Sequence, residues 1–200
     1  MRYEKGHKDA TRKHIVEVAS RRLRRDGIEA TGIAPLMADA GLTHGGFYSH
    51  FASKEALLRE VITHTLSARR ATLARAAANA ADPIEGLVRY YLRPLHRDEP
   101  EQGCAIAAFA PEIGRQSMPT REAFAGELDA LIDLIADHLL ISDPEDRRRA
   151  AEGIFAVMMG ALQLARAVND PARSQQLMQS GIEAALRLAR YGGSITDRPS

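Results

Sequence analysis

Three times the chain sets an aspartate directly before a proline: Asp82-Pro83, Asp143-Pro144 and Asp170-Pro171. An aspartate can accept from the free amides of a helix's first turn. Proline suits the first helical position, where its missing N–H costs no bond. Glu85 follows three residues after Asp82, which adds a reciprocal cap. Between such starts no useful stretch alternates apolar and polar residues as a half-buried strand would. The pattern predicts an all-α chain, with helices over 9–26, 33–40, 44–51, 53–79, 83–96, 104–114, 120–140, 143–168 and 171–191. The polar linker Arg97–Gly103 is turn-rich, and the stretch 192–200 has no apolar face and is expected to be a flexible tail.

Composition narrows the class. Two hundred residues, 45% of them hydrophobic, suffice for one large or two small domains with a real core. No run approaches the roughly eighteen apolar residues of a membrane span. The opening Met-Arg-Tyr-Glu-Lys-Gly-His-Lys lacks the apolar stretch of a secretory signal, so a cytoplasmic protein with no membrane partner is expected. Cys104 is the single cysteine and cannot form an internal disulfide. The chain holds no Gly-x-Ser-x-Gly, no His-Glu-x-x-His, no Gly-x-x-x-x-Gly-Lys and no Cys-x-x-Cys. No catalytic residue, metal set or cofactor is therefore expected, and the chain does not read as an enzyme.

Charge is unevenly placed. Residues 1–54 hold 10 Lys/Arg against 6 Asp/Glu, a net +4, with four of the seven histidines; residues 55–200 hold 17 against 20, a net −3. A basic end on a near-neutral body points to a polyanion partner for that end, although an ordinary uneven surface would look similar. The same end carries a compact helical unit. Ile15, Val18, Ala19 and Leu23 form a stripe at helical spacing. Leu36, Ala40, Leu42, Phe47 and Phe51 can close over it. Gly41 falls where a helix ends in a left-handed residue. A short helix, a glycine turn and a second short helix make a helix-turn-helix, whose second helix enters the major groove by its first residues. Those residues are Thr43, His44, Gly45 and Gly46, with Thr43 placed to cap. Two glycines in a first turn cost about 1 kcal/mol each against alanine. Close approach of backbone to DNA would compensate; a cost simply tolerated at the surface is the other reading.

Phe47 and Phe51 lie one turn apart and should pack inward, leaving Tyr48 and His50 to point elsewhere. Both suit phosphate oxygens, and both also fit an ordinary surface or half-buried position. Ser53 should cap the next helix, and Lys54 beside that positive helix end makes better sense with a phosphate nearby. Thr31 and Gly32 precede the second helix, and Thr31 joins Thr43, His44, Gly45, Gly46, Tyr48, His50 and Lys54 among the expected DNA-binding residues.

The run from Gly27 to Leu57, above all Ala-Gly-Leu-Thr followed by Phe-Tyr-x-His-Phe-x-Ser-Lys-Glu-x-Leu, closely resembles the DNA-binding domain of the tetracycline-repressor (TetR/AcrR-type) family of bacterial transcriptional regulators. The resemblance covers about residues 10–60. It implies a helix-turn-helix domain at 1–52 and a helical effector-binding and dimerisation domain at 53–191. It also implies a homodimer on a palindromic DNA operator and repression relieved by a small molecule. It carries DNA contact onto Thr43, His44, Gly46, Tyr48, His50 and Lys54. Gly32 stands where the family usually has Ser or Thr, and Met37 replaces a commoner small residue.

The body offers weaker signals. Ile154, Met158, Ala161, Ala165 and Val168, and in the last helix Leu177, Gly181, Ala184 and Leu188, form apolar stripes. They suit either a four-helix bundle shared by two copies or burial within one chain. The arginine run at 147–149 lies four residues from acids and reads as a solvated face. Tyr90, Tyr91, Phe109, Met118, Phe124, Met158, Met159 and Gln163 are the candidates for a cavity taking a small apolar or aromatic effector, with ordinary core as the other reading. Cys104, at the start of the expected helix 104–114, is either a thiol sensor of electrophiles or inert packing. A helical protein-interaction module without DNA binding is the remaining alternative.

Overall fold

The computed structural model describes residues 2–191; the expected tail at 192–200 lies outside them. Among these residues every regular element is helical. The α-helices are α1 (Arg2–Asp26), α2 (Ile33–Asp39), α3 (Lys54–Ala78), α4 (Pro83–Tyr91), α5 (Pro94–Asp98), α6 (Ala105–Ile113), α7 (Met118–Ala136), α8 (Pro144–Ala167) and α9 (Pro171–Tyr191). Short 3-10 helices occupy His44–Ser49 and Pro100–Gln102.

The three aspartate–proline starts behave as their chemistry requires. The Ile84 and Glu85 amides donate to Asp82 at 3.0 and 3.1 Å. The Asp146 amide donates to Asp143 at 2.8 Å, and the Ala172 amide to Asp170 at 2.8 Å. Ser53 caps α3 by accepting from the Ala56 amide at 3.0 Å.

Three expected helices differ. The segment 83–96 is two helices, because Pro94 has no N–H to donate and its ring clashes with a continuing turn. The segment 44–51 is a 3-10 helix rather than an α-helix. Its amides bond three residues back, Gly46 to the Thr43 carbonyl at 3.0 Å and His50 to that of Phe47 at 2.9 Å. Gly45 and Gly46 lower the propensity for a full α-turn there. Helix α7 stops at Ala136, where His138 and Leu139 likewise bond three residues back.

The described residues fall into two compact units. One takes in the chain up to Ala68 together with Pro100–Glu127; the other comprises Arg69–Glu99 and the chain from Leu128. The first unit therefore includes α6 alongside α1 and α2.

In the first unit Ile15, Val18, Ala19 and Leu23 of α1 are buried with Leu36, Met37, Ala40, Phe47 and Phe51. The phenylalanine rings stack at 5.6 Å. Gly41 takes φ +69°, the left-handed turn its position called for.

In the second unit α8 packs on α9. Ile154, Met158, Leu162 and Ala165 are buried with Met178, Ile182 and Ala185. A Cβ at Gly181 would collide with that of Ala161 and lie 3.2 Å from Leu92. The α8 stripe is thus consumed within one chain at Ile154, Met158 and Ala165, and Ala161 faces its own α9. The arginine run is a charge-balanced surface. Arg148 reaches Asp129 at 2.6 Å and Asp133 at 2.9 Å, and Arg149 pairs with Glu145 and Asp146.

Candidate nucleic-acid interface

The 3-10 helix His44–Ser49 has two faces of opposite character. Phe47 is fully buried, with its ring edge-on to Tyr48 at 5.2 Å. Thr43, His44 and Gly45 are exposed, and Tyr48 is 60% exposed. The His44 and Tyr48 rings meet edge to face at 6.2 Å. A rigid aromatic anchor on one side thus presents an imidazole, two hydroxyls and a bare glycine backbone on the other. Open space surrounds the Gly45 Cβ direction, so backbone can come close to a partner there.

Other candidates are placed differently. Thr31 is 1% exposed and donates its hydroxyl to the Gly27 carbonyl at 2.8 Å. Its hydroxyl is used in holding the turn between α1 and α2. Thr43 sits at the cap position, yet its side chain makes no cap bond; the Gly46 amide bonds its carbonyl instead. That leaves the hydroxyl on the outer face. Gly32 caps α2 in position only, having no side chain to contribute. Lys54 donates to the Ile28 carbonyl at 2.6 Å, so one of its three donors ties the head together.

His50 is half-buried. Its imidazole is held below the usual histidine range, first by burial and then by the charges of Lys8, Arg12 and His7. Its Nδ1 is buried without a partner among the described residues. Arg12 is a residue that sequence spacing did not mark. Its guanidinium lies 4.2 Å over the Phe51 ring, pairs with Glu60 and donates to the His50 carbonyl. It fastens the end of the reading element to α1 and α3. Lys8 and His7, which also bear on the His50 imidazole, are both exposed.

The effector candidates are divided between the units. Tyr90, Tyr91, Met158, Met159 and Gln163 belong to the second, and Cys104, Phe109 and Phe124 to the first. Tyr91, Phe109 and Met158 are fully buried, and Met118 is 62% exposed on the surface. Tyr91 packs against His96 at 4.6 Å and Phe155 at 5.9 Å. Cys104 is fully buried and forms no disulfide. An electrophile reaches that sulfur only if the start of α6 opens. Among the described residues no group of three or more His, Cys, Asp or Glu could hold a metal ion, and no helix is long and apolar enough to cross a membrane.

Two family models match the chain. The N-terminal model of the bacterial regulatory proteins of the tetR family matches residues 15–61. The C-terminal domain model of the LmrA/YxaF-like transcriptional regulators matches residues 80–180, half of the chain. The chain belongs to the TetR family. Among TetR relatives it is 28% identical over 102 residues to the HTH-type transcriptional repressor DhaR of Mycobacterium sp. (strain GP1), covering 51% of this chain and 52% of that one. The chain thus spans about half the length of that relative. A TetR-family regulator from Agrobacterium tumefaciens superposes with a TM-score of 0.74 at 21% identity, covering 88% of this chain and 97% of that one. The regulator AibR, solved with isovaleryl coenzyme A and operator DNA, superposes at 0.62 and 16% identity, covering 86% and 96%. These likenesses show the TetR fold.

Proposed function

We propose that the chain is a DNA-binding transcriptional regulator that reads duplex DNA through the outer face of His44–Ser49. The single observation that carries this is the two-faced 3-10 helix. Phe47 is locked in the core while Thr43, His44, Gly45 and Tyr48 stand exposed on a segment of net positive charge. Phosphate contacts position such a head, and base contacts specify the sequence. The operator DNA in the AibR structure supports the reading by likeness of fold.

The test is fluorescence anisotropy with a duplex selected by the wild-type protein from a randomised pool, at two salt concentrations. Affinity should fall steeply with salt, by a slope of about 0.9 per phosphate contacted. His44→Ala should narrow the gap between the selected and a scrambled duplex by about 1–3 kcal/mol. Absence of any DNA binding at low salt would favour a helical protein-interaction module. Equal discrimination in wild type and variant would remove His44 from base reading.

Two copies should act together on a two-fold site. The support is a second, outward strip on α8. Leu164 is 57% exposed, Ala156 is exposed, Val157 is half-buried, and Gly160 has open space at its Cβ. Leu164→Asp should yield monomers by light scattering without lowering helix content, because that side chain is not in the chain's own core. A dimer that survives the change would place the interface elsewhere. Ala161 is unsuited to this test, since it packs on Gly181 of its own chain.

An effector of small, largely apolar character in the second unit completes the proposal, with Tyr90, Tyr91, Met158, Met159 and Gln163 as its candidate contacts. Coupling of about 1–3 kcal/mol to operator affinity would be typical.

A further inference from the structure

The turn that joins α1 to α2 is held by a residue far along the chain. The Ile28 amide lies 3.0 Å from both carboxylate oxygens of Glu112, and the Glu29 amide donates to one of them at 3.0 Å. From the opposite side Lys54 donates to the Ile28 carbonyl at 2.6 Å. Both polar groups of that peptide stretch are thus satisfied by ionic side chains. Charge-assisted bonds of this kind are the strong ones.

The approach is tight enough to constrain the sequence. Gly27 has φ +89°, and a Cβ there would stand 2.9 Å from Glu112 Oε1. The left-handed backbone favours glycine here, and its bare Cα lets the Glu112 carboxylate come close to the turn. Further ties run between the same stretches of this unit. Arg24 donates to the Glu101 carbonyl at 2.6 Å, Arg115 pairs with Glu29 at 3.4 Å, and Thr120 donates to Glu55 at 3.0 Å.

The turn is not packed solid on its outer side. A groove of about 360 Å³ opens there, lined by Ile28 and Glu29 of the turn, Lys54 and Leu58 of α3, and Arg115 and Ser117 after α6. With room to move on one side, the turn depends on its polar clamp for its position.

We propose that Glu112 is a positioning residue for the DNA-reading head, which fixes the α1–α2 turn and through it the placement of α2 and the 44–49 element. The inference rests on the DNA-reading role of that element. The Glu112 carboxylate is spent on the Ile28 and Glu29 amides, so its effect is on geometry and not on the number of phosphates bound.

The experiment compares wild type, Glu112→Gln and Glu112→Ala on the duplex selected by wild type from a randomised pool. It is run at a temperature where circular dichroism shows all three fully folded. Glu112→Ala should weaken binding about tenfold with the salt slope unchanged, the loss expected when a charge-assisted clamp is removed. Glu112→Gln, which keeps one carbonyl acceptor, should fall between. Amide hydrogen exchange should accelerate at Ile28 and Glu29 in the alanine variant. A fully folded Glu112→Ala that binds as wild type overturns the proposal. So does a slope that drops by about one, which would mark a lost phosphate contact. A wild type that selects no duplex refutes the DNA-reading role itself and is distinguished from both.

Discussion

Acid should destabilise this protein through one buried histidine. His96 is 2% exposed, and its Nδ1 donates to the Tyr91 carbonyl at 2.6 Å. Burial, then the charge of Arg69 and further those of Arg166 and Arg93, push its pKa down from 6.5 to about 3, against a smaller opposing effect of the Tyr91 bond. The folded state therefore holds His96 neutral where the unfolded chain would protonate it. Folding stability is at its full value above pH 6.5 and is lost as pH falls from there towards 3. At pH 4.5 the loss from this one group is about 2–3 kcal/mol, since each pKa unit corresponds to about 1.4 kcal/mol. For a chain of this size that lowers Tm by roughly 5–10 °C. His96→Asn keeps a donor for the Tyr91 carbonyl and cannot titrate. Its Tm should fall distinctly less than that of wild type between pH 7 and 4.5. If both fall by the same amount, the acid sensitivity belongs to the carboxylates and not to His96. His50, whose imidazole is likewise lowered by burial and then by nearby positive charge, adds in the same direction.

Removing the anchor of the reading element should be as costly. Phe47 is fully buried between Phe51, Tyr48 and the core of the first unit. Phe47→Ala should destabilise by about 3–5 kcal/mol, a large share of the 5–15 kcal/mol a domain usually has. Binding to the selected duplex should disappear with it, because Tyr48 and His44 are aimed by that ring. Phe47→Leu, which refills most of the volume, should recover much of the stability. Chemical denaturation of the three proteins reads the first effect and anisotropy the second. A Phe47→Ala protein that melts with wild type would show that the 44–49 element is not seated on that ring.

Much of this was legible in the residues because it is local. Asp82, Asp143, Asp170 and Ser53 announce helix starts by hydrogen bonds that span two or three residues, so no long-range information is needed. Gly41 signals a left-handed turn for an equally local reason. The aromatic spacing of Phe47 and Phe51 likewise fixes which side of the reading element is buried. Local rules also fail locally. Two glycines were enough to turn an expected α-helix into a 3-10 helix, and Pro94 was enough to divide 83–96.

Long-range partners left no trace in spacing. Thr31 looked like a residue facing DNA, yet its hydroxyl closes a turn inside the head. Lys54 looked available for phosphate, yet it also ties down Ile28. The apolar stripe on α8 was compatible with two copies or with one. Only the packing of Ala161 against Gly181 showed that one chain uses it, leaving the strip at Leu164 outward. Glu112, 84 residues from Ile28 in sequence, carried no sign of its role beyond the glycine it faces.

The sequence by itself determined the helical class, the helix starts and the family of the reading head, since capping, turn geometry and periodicity act over a few residues. The tertiary structure alone decided that α6 shares a unit with that head, that His96 is buried among arginines, and which side chains are already spoken for. Those outcomes depend on which distant backbone and side-chain groups come within bonding distance. No rule of spacing along the chain encodes that distance.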